Sequence, residues 1–217
     1  YTGKVDSDSA WEPTEAQIDS AISLVGILDC SISPQGRMSK KAPGTSFNFS
    51  AVTKGYACDL ILEMLQRNGC TDAMVEIGGE VAVCGSSPRG DSWRLQIDAP
   101  VFSADSVIHQ PLEVVEVADC GIATSGNYRN FHLDSAGRRV GHTINPLSGR
   151  PAISPFLSVT VIAPSCAEAD ACATALMATP SRAAADTLIA RLAAPAGMNE
   201  HKFPASAQQQ AHPLRVI

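Results

Sequence analysis

The stretch "FNFSAVTKGYA", residues 47–57, decides how the fold is read, because its period changes midway. Phe47, Phe49 and Ala51 alternate with Asn48 and Ser50, the period of a strand. From Tyr56 onward, Leu60, Ile61 and Leu65 recur at helical spacing, and Asn68-Gly69 is a helix stop. Lys54-Gly55 is therefore expected at a strand-to-helix junction, where unpaired backbone N–H groups and an ammonium can face an anion. A P-loop does not account for it. The nearest upstream glycine is Gly44, ten residues before Lys54, so the Gly-x4-Gly-Lys spacing is missing. The competing reading is a lysine snorkelling from a helix end with no ligand.

Outward from this stretch, composition sets the limits. The chain has 217 residues, 45% hydrophobic and 18% charged, with a net charge of −6. That is the composition of a globular chain with one sizeable core or two small ones. It offers no basic surface for nucleic acid and no apolar run long enough to span a membrane. The chain opens on Tyr1 rather than Met, so an upstream piece is expected to have been removed. Seven cysteines, at 30, 58, 70, 84, 120, 166 and 172, form no Cys-x-x-Cys pair. They read as small buried hydrophobes rather than disulfides or metal ligands.

Residues 1–13 are polar and irregular. Thr14 to Leu28 reads as a helix, with Thr14 and Gln17 as a capping box and Ile18, Ala21, Val25 and Leu28 on one face. After the turn-rich "SPQGRMSKKAPG", "AMVEIGGEVAVCG" reads as two strands about Gly78-Gly79. "WRLQID", "LEVVEVA", "CGIAT" and "FLSVTVIAP" are further strands, and "FHLDSAGRRVGHTI" is a hairpin turning at Ser135-Ala136-Gly137. Ser165 and Glu168 cap a helix running to about Ala178, and Arg182 to Leu192 forms another. Residues 195–217 lack periodicity and read as a loose tail. Strands and helices mix without regular alternation, so the expected class is α+β, with one domain over residues 14–194.

Three polar clusters can carry chemistry. Asn48, Ser50 and Lys54 surround the junction. Thr124, Ser125, Gly126 and Asn127 lie at one strand end, with His142, Thr143 and Asn145 at the next. Small residues at strand ends let backbone N–H groups approach a ligand, and an imidazole nearby can move a proton. Asp170 and Thr174 stand four apart on a helix, so their oxygens share one face. A carboxylate and a hydroxyl suit a hard cation such as Mg²⁺. The alternatives are a decorated hairpin and a partly exposed aspartate placed by the macrodipole near its own helix N-terminus.

"SAVTKGYACD", "VEIGGE" ahead of "WRLQID", "ATSGNYR", "HTINPLSGRP" and "EADACATAL" follow one another in an order that resembles the ApbE family. These are FAD:protein FMN transferases, once described as thiamine-biosynthesis lipoproteins, and the resemblance runs from about residue 14 to about 180. It implies an α+β, T-fold-like duplicated sheet-and-helix architecture whose N-terminal portion is not in this chain. It implies Mg²⁺-dependent transfer of the FMN half of FAD to a Thr or Ser hydroxyl of a target protein, releasing AMP. On the matching positions, Asn48 stands where the family has an aspartate and Lys54 where a lysine contacts FAD. The Ala51 carbonyl, Asp170 and Thr174 match the magnesium site, with the Ala173 carbonyl a further ligand. His142 matches a proposed base, and Thr143 with the Ser125-Gly126 turn lies close to the nucleotide.

The resemblance further implies an electron-transport subunit as acceptor and a place on the periplasmic face of the inner membrane. There the protein would be held by a lipid anchor outside this chain. Two departures stand against it: Asn48 removes a charge, and the family's N-terminal third, with its acidic-aromatic segment, is expected to lie outside this chain, as is a closing strand beyond Leu192. FAD hydrolysis to FMN and AMP, or a non-catalytic flavin-binding or scaffold role, are the alternatives.

Overall fold

The computed structural model describes residues 13–101, 109–127, 131–133, 139–193 and 215–217. Most of the irregular segment expected at residues 1–13, and most of the expected tail, lie outside them. Helix α1 (Glu15–Ile22) starts as the sequence predicts, with the Thr14–Gln17 capping box formed in both directions. It stops six residues early, at Ile22. Gly26, at φ +155°, cannot continue the ladder, and a short 3₁₀ turn at Ile27–Asp29 follows. Val25 and Leu28 therefore do not share a buried face, and Leu28 is 97% exposed. Strands β1 (Cys30–Ile32) and β2 (Met38–Lys40) then pair as a hairpin that the turn-rich reading missed. Their side chains are almost all exposed, so no apolar alternation marks them.

The strand expected at residues 47–51 does not form. The alternation there belongs to an extended segment without a partner strand, in which the Phe47 and Phe49 rings stack at 6.1 Å. Both the Val52 and Thr53 N–H groups donate to the Phe49 carbonyl, turning the chain into α2 (Thr53–Arg67). This helix stops at Asn68 as expected, but its inward face is not the expected one. Gly55 and Cys58 are buried, Leu62 and Leu65 pack beside them, and Tyr56, Leu60 and Ile61 are exposed. Small residues face inward because another helix crosses there at close range.

Five strands form the central antiparallel sheet, in the order β13-β12-β7-β4-β3. Strands β3 (Ala73–Ile77) and β4 (Glu80–Cys84) are the hairpin predicted about Gly78-Gly79, whose φ values are +61° and +100°. Strands β5 (Trp93–Asp98) and β6 (Pro111–Val117) pair with each other and cover one face of the sheet. Strand β7 (Cys120–Gly126) joins β4 to β12 (Ser158–Ala163). Between β7 and β12 lie two small hairpins, β8 (Phe131–Leu133) with β9 (Arg139–Gly141), and β10 (Ile144–Asn145) with β11 (Arg150–Pro151). The turn expected at residues 135–137 lies outside the described residues. Helices α3 (Cys166–Met177) and α4 (Arg182–Ala193) pack on the other face. The class is α+β, and the described residues hold one such sheet-and-helix unit.

The chain end departs from the expected loose tail. Strand β13 (Arg215–Val216) pairs with Ile162 and Val161 on β12, and Ile217 exchanges two backbone hydrogen bonds with Thr160. A strand of two residues is too short to show a period. All seven cysteines are free, and five are buried. Burial pushes the Cys120 thiol up to about 11, which keeps it protonated and inert.

The start of α3 is wedged between α2 and β7. A methyl group on Gly55 would lie 2.3 Å from the Cys166 carbonyl oxygen, and one on Gly121 would lie 2.0 Å from the Cys166 nitrogen. The first three amides of α3 are all satisfied there. Asp59, reaching across from α2, accepts from the Cys166 and Ala167 N–H groups, both at 2.8 Å, and Ser165 Oγ accepts from Glu168 at 3.2 Å. Gly55→Ala is expected to lower stability by at least ~3 kcal/mol through overpacking against backbone that cannot yield. Gly44→Ala is the control: its methyl meets only the Leu24 side chain, at 3.2 Å, and should cost under ~1 kcal/mol. Urea midpoints of the two variants decide the matter, and equal midpoints would remove the wedge.

Candidate functional site

The site grows from the other end of the same helix crossing. The Gly55 N–H lies in the first turn of α2, where no carbonyl of its own helix is available. It donates instead to Asp170 Oδ2 on α3, at 3.1 Å. Asp170 is 4% exposed, in the second turn of α3, so it serves the N-terminus of a neighbouring helix rather than its own. That corrects the expectation of a partly exposed carboxylate held by its own macrodipole. The α2 ladder begins with Tyr56 donating to the Val52 carbonyl, one residue after Ala51, which leaves the Ala51 carbonyl outside it.

One residue before Gly55, the Lys54 ammonium meets Glu80 Oε2 at 2.5 Å. Glu80 opens β4 on the face turned to the helices, shares that face with Ala82, and is 2% exposed. Sequence reading named Lys54 and Asp170 but passed over Glu80. The signal available was a charged residue in register with Ala82 and Cys84 on an otherwise apolar strand. Burial raises the pKa of both Glu80 and Asp170 above the usual carboxylate range. For Glu80, Lys54 opposes the rise and the Asp170 charge adds to it. For Asp170, the Gly55 N–H and then Lys54 oppose it. One ammonium thus stands among two buried carboxylates, an arrangement short of one positive charge.

One turn along α3, Thr174 Oγ1 lies 3.1 Å from Ser125 Oγ at the end of β7. Thr174, Ser125 and Gly126 are half-buried. Asn127 follows, and its Oδ1 accepts from the Thr143 hydroxyl at 3.2 Å, tying the segment after β9 to the same strand end. Gly141 permits this approach, since a methyl there would lie 2.4 Å from the Asn127 amide carbon. His142, beside Thr143, is exposed. Two of the predicted residues also have a part in the fold itself. The Asn48 oxygen accepts from the Ser50 N–H at 2.9 Å, serving its own loop. Ala173 buries its methyl in the core and lies inside the α3 ladder. Phe47, Asn48, Phe49, Thr53 and Lys54 line an open depression at the start of α2.

A divalent cation fits the donors present. No group of three or more His, Cys, Asp or Glu is placed to hold a metal ion among the described residues. That disfavours zinc and leaves oxygen donors: Asp170, Thr174 and the carbonyls of Ala51 and Ala173. Hard cations such as Mg²⁺ take few protein oxygens, a number these donors can meet.

Comparisons with known proteins match the chain as a whole to one family. The sequence profile of the ApbE family matches residues 3–195. An FAD:protein FMN transferase of Vibrio cholerae is 37% identical over 165 residues, covering 76% of this chain and 48% of the relative. The enzyme of the same name from Salmonella typhimurium is 36% identical over 169 residues, covering 76% and 47%. The crystal structure of the Pseudomonas stutzeri flavinyl transferase ApbE superposes with a TM-score of 0.71 at 34% identity, covering 83% of this chain and 54% of that one. The chain spans about half the length of the curated relatives it matches.

Asp59, Glu80 and Asp170 all have folded-state pKa values raised by burial. Each therefore binds more protons folded than unfolded, in an interval opening near the unfolded value of ~4. Their contribution is fully present below that value and is lost as pH rises through the raised ones. Asp170→Asn keeps an oxygen for the Gly55 N–H but removes its share of this slope. Urea midpoints of wild type and variant, without added cation, are expected to diverge in favour of the variant as pH rises. The difference is the readout, because Asp72 and Asp91, held low first by the Thr71 and Ser87 hydroxyls, pull the opposite way in both proteins. Added Mg²⁺ should raise the wild-type midpoint alone. Parallel curves with equal response to Mg²⁺ would remove Asp170 from the site.

Proposed function

The chain belongs to the ApbE family, and on that premise we propose that it carries the nucleotide and metal site of an FAD:protein FMN transferase. The observation that supports this most is the convergence of Lys54, Asp170, Thr174 and Ser125 about the crossing of α2 and α3. FAD is the substrate, and the products are AMP and a target protein with FMN on a Thr or Ser hydroxyl.

The chemistry is a displacement at the phosphorus on the FMN side of the pyrophosphate. The acceptor oxygen forms the new P–O bond, the bond to AMP breaks, and the hydroxyl proton passes to a base. Such a transfer asks the protein mainly for alignment and for positive charge near the developing anion. Lys54 supplies a fixed ammonium beside the depression at the start of α2. Asp170 and Thr174, with the carbonyls of Ala51 and Ala173, would hold Mg²⁺, which when bound neutralises pyrophosphate charge. His142 takes the proton, and Thr143, Ser125 and Gly126 hold the nucleotide. Asn48 lines the depression with its oxygen engaged by the Ser50 N–H, so its NH₂ is the group it has to offer a ligand, as a neutral substitute for a carboxylate.

Water entering in place of the hydroxyl would give FMN and AMP from the same site. An acceptor from an electron-transport assembly and a lipid-anchored setting on the periplasmic face belong to the same proposal. They rest on the family alone. No helix among the described residues is long and apolar enough to cross a membrane.

Incubation with FAD, Mg²⁺ and a threonine-bearing acceptor domain is expected to yield AMP and covalently flavinylated acceptor in equal amounts. Free FMN with AMP would indicate hydrolysis, and absence of AMP a non-catalytic role. His142→Asn should lower turnover by ~10²–10⁴, the usual contribution of a positioned base, with FAD binding retained. A variant of full activity would end the assignment of His142.

A further inference from the structure

Glu80 has no part in the function as stated, yet it is one of the few charged side chains the fold buries. Its carboxylate is 2% exposed, and Oε2 receives no hydrogen bond from a neutral donor. Its partner is the Lys54 ammonium at 2.5 Å, and the Lys54 side chain is itself 47% exposed. One end of this ion pair is thus sealed in the protein and the other opens on the depression at the start of α2.

The surroundings leave the lysine little freedom. Its stem passes the β3–β4 turn, where a methyl on Gly78 would lie 3.6 Å from Lys54 Cδ and 3.9 Å from Glu80 Oε2. Glu80 is fixed by its place at the start of β4, opposite Ile77. A free lysine side chain carries much rotamer entropy. Leaving a buried carboxylate without its counter-charge is costly, so the folded protein favours keeping the ammonium against Glu80 before any ligand arrives. An ammonium has three N–H donors. Glu80 takes one, which leaves two for an anion in the depression.

We propose that Glu80 is a positioning residue. It clamps Lys54 so that the ammonium meets the pyrophosphate of the bound dinucleotide in one orientation. This rests on the reading of Lys54 as a phosphate-side ligand. The design separates affinity from rate. Removing the Glu80 charge makes the depression more positive, which favours a polyanion, while freeing the lysine to swing away from the position needed for transfer.

Glu80→Gln, which keeps shape and an acceptor oxygen, tests this. AMP release from FAD and Mg²⁺ is expected to fall by about 10²-fold, the usual cost of a misplaced group, while FAD binds as tightly as before or tighter. Weaker FAD binding in proportion to the lost rate, or unchanged turnover per folded molecule, would overturn the proposal. A second measurement needs no activity. In a stability cycle, Lys54→Met should lower the urea midpoint by orphaning the buried carboxylate. Adding Glu80→Gln to that variant should raise the midpoint again, since both partners are then neutral. Additive losses would show that the two side chains do not act as a clamp. A wild type that releases no AMP would count against the transferase reading, while the stability cycle would still decide whether the clamp exists.

Discussion

Two helices in this fold each finish the other's N-terminus. Asp59 of α2 accepts the first two amides of α3, and Asp170 of α3 accepts the Gly55 amide of α2. Hydrogen bonds to a carboxylate are worth more than neutral ones, and Asp170 is buried while Asp59 is half-buried. The exchange fixes the crossing within narrow limits, and Gly55 and Gly121 are required because it leaves no space for a methyl. Everything proposed to handle phosphate hangs from it. Lys54 precedes the capped glycine, and Thr174 follows the capping aspartate by one turn. Because Asp170 sits at the crossing and among the candidate metal ligands, stability and function draw on the same group.

That double use explains the electrostatic cost. Glu80 and Asp170 are both buried and raised, with only Lys54 between them. A fold selected for stability alone would place apolar groups or one neutral polar group there. What the crossing keeps instead is two carboxylates with one partner each, the Gly55 N–H on Asp170 and the Lys54 ammonium on Glu80, so the proposed cation would bind beside charge the fold has already gathered.

Much of this was readable in the sequence, and the failures have physical causes. The strands "EVAVC", "CGIAT" and "SVTVIA" were legible because each packs on both faces and so runs nearly continuously apolar. The Thr14 and Ser165 caps were legible because capping is local chemistry. The strand read into Phe47–Ala51 failed because alternation records extension, and only a partner makes a strand. The inward face of α2 was misread because close helix crossings select glycine, cysteine and alanine, which carry little hydrophobic signal. Lys54, Asp170 and Thr174 were singled out by local spacing, and the order of the motifs then tied them together. Glu80 and Asp59 were missed as functional and capping groups because their partners lie 26 and 107 residues away in the chain. No window along the sequence shows such pairs.

Strand β13 carries a consequence for solubility. Strand β12 is the most apolar strand of the sheet, with Val159, Val161, Ile162 and Ala163 all buried. Without its neighbour it would present a bare row of amides and carbonyls beside that apolar surface, a template for strands of other molecules. Arg215, Val216 and Ile217 occupy that row, and the Arg215 guanidinium reaches Glu113 at 2.7 Å to hold them there. Residues 215–217 therefore cover a row of backbone groups that would otherwise invite pairing by strands of other molecules.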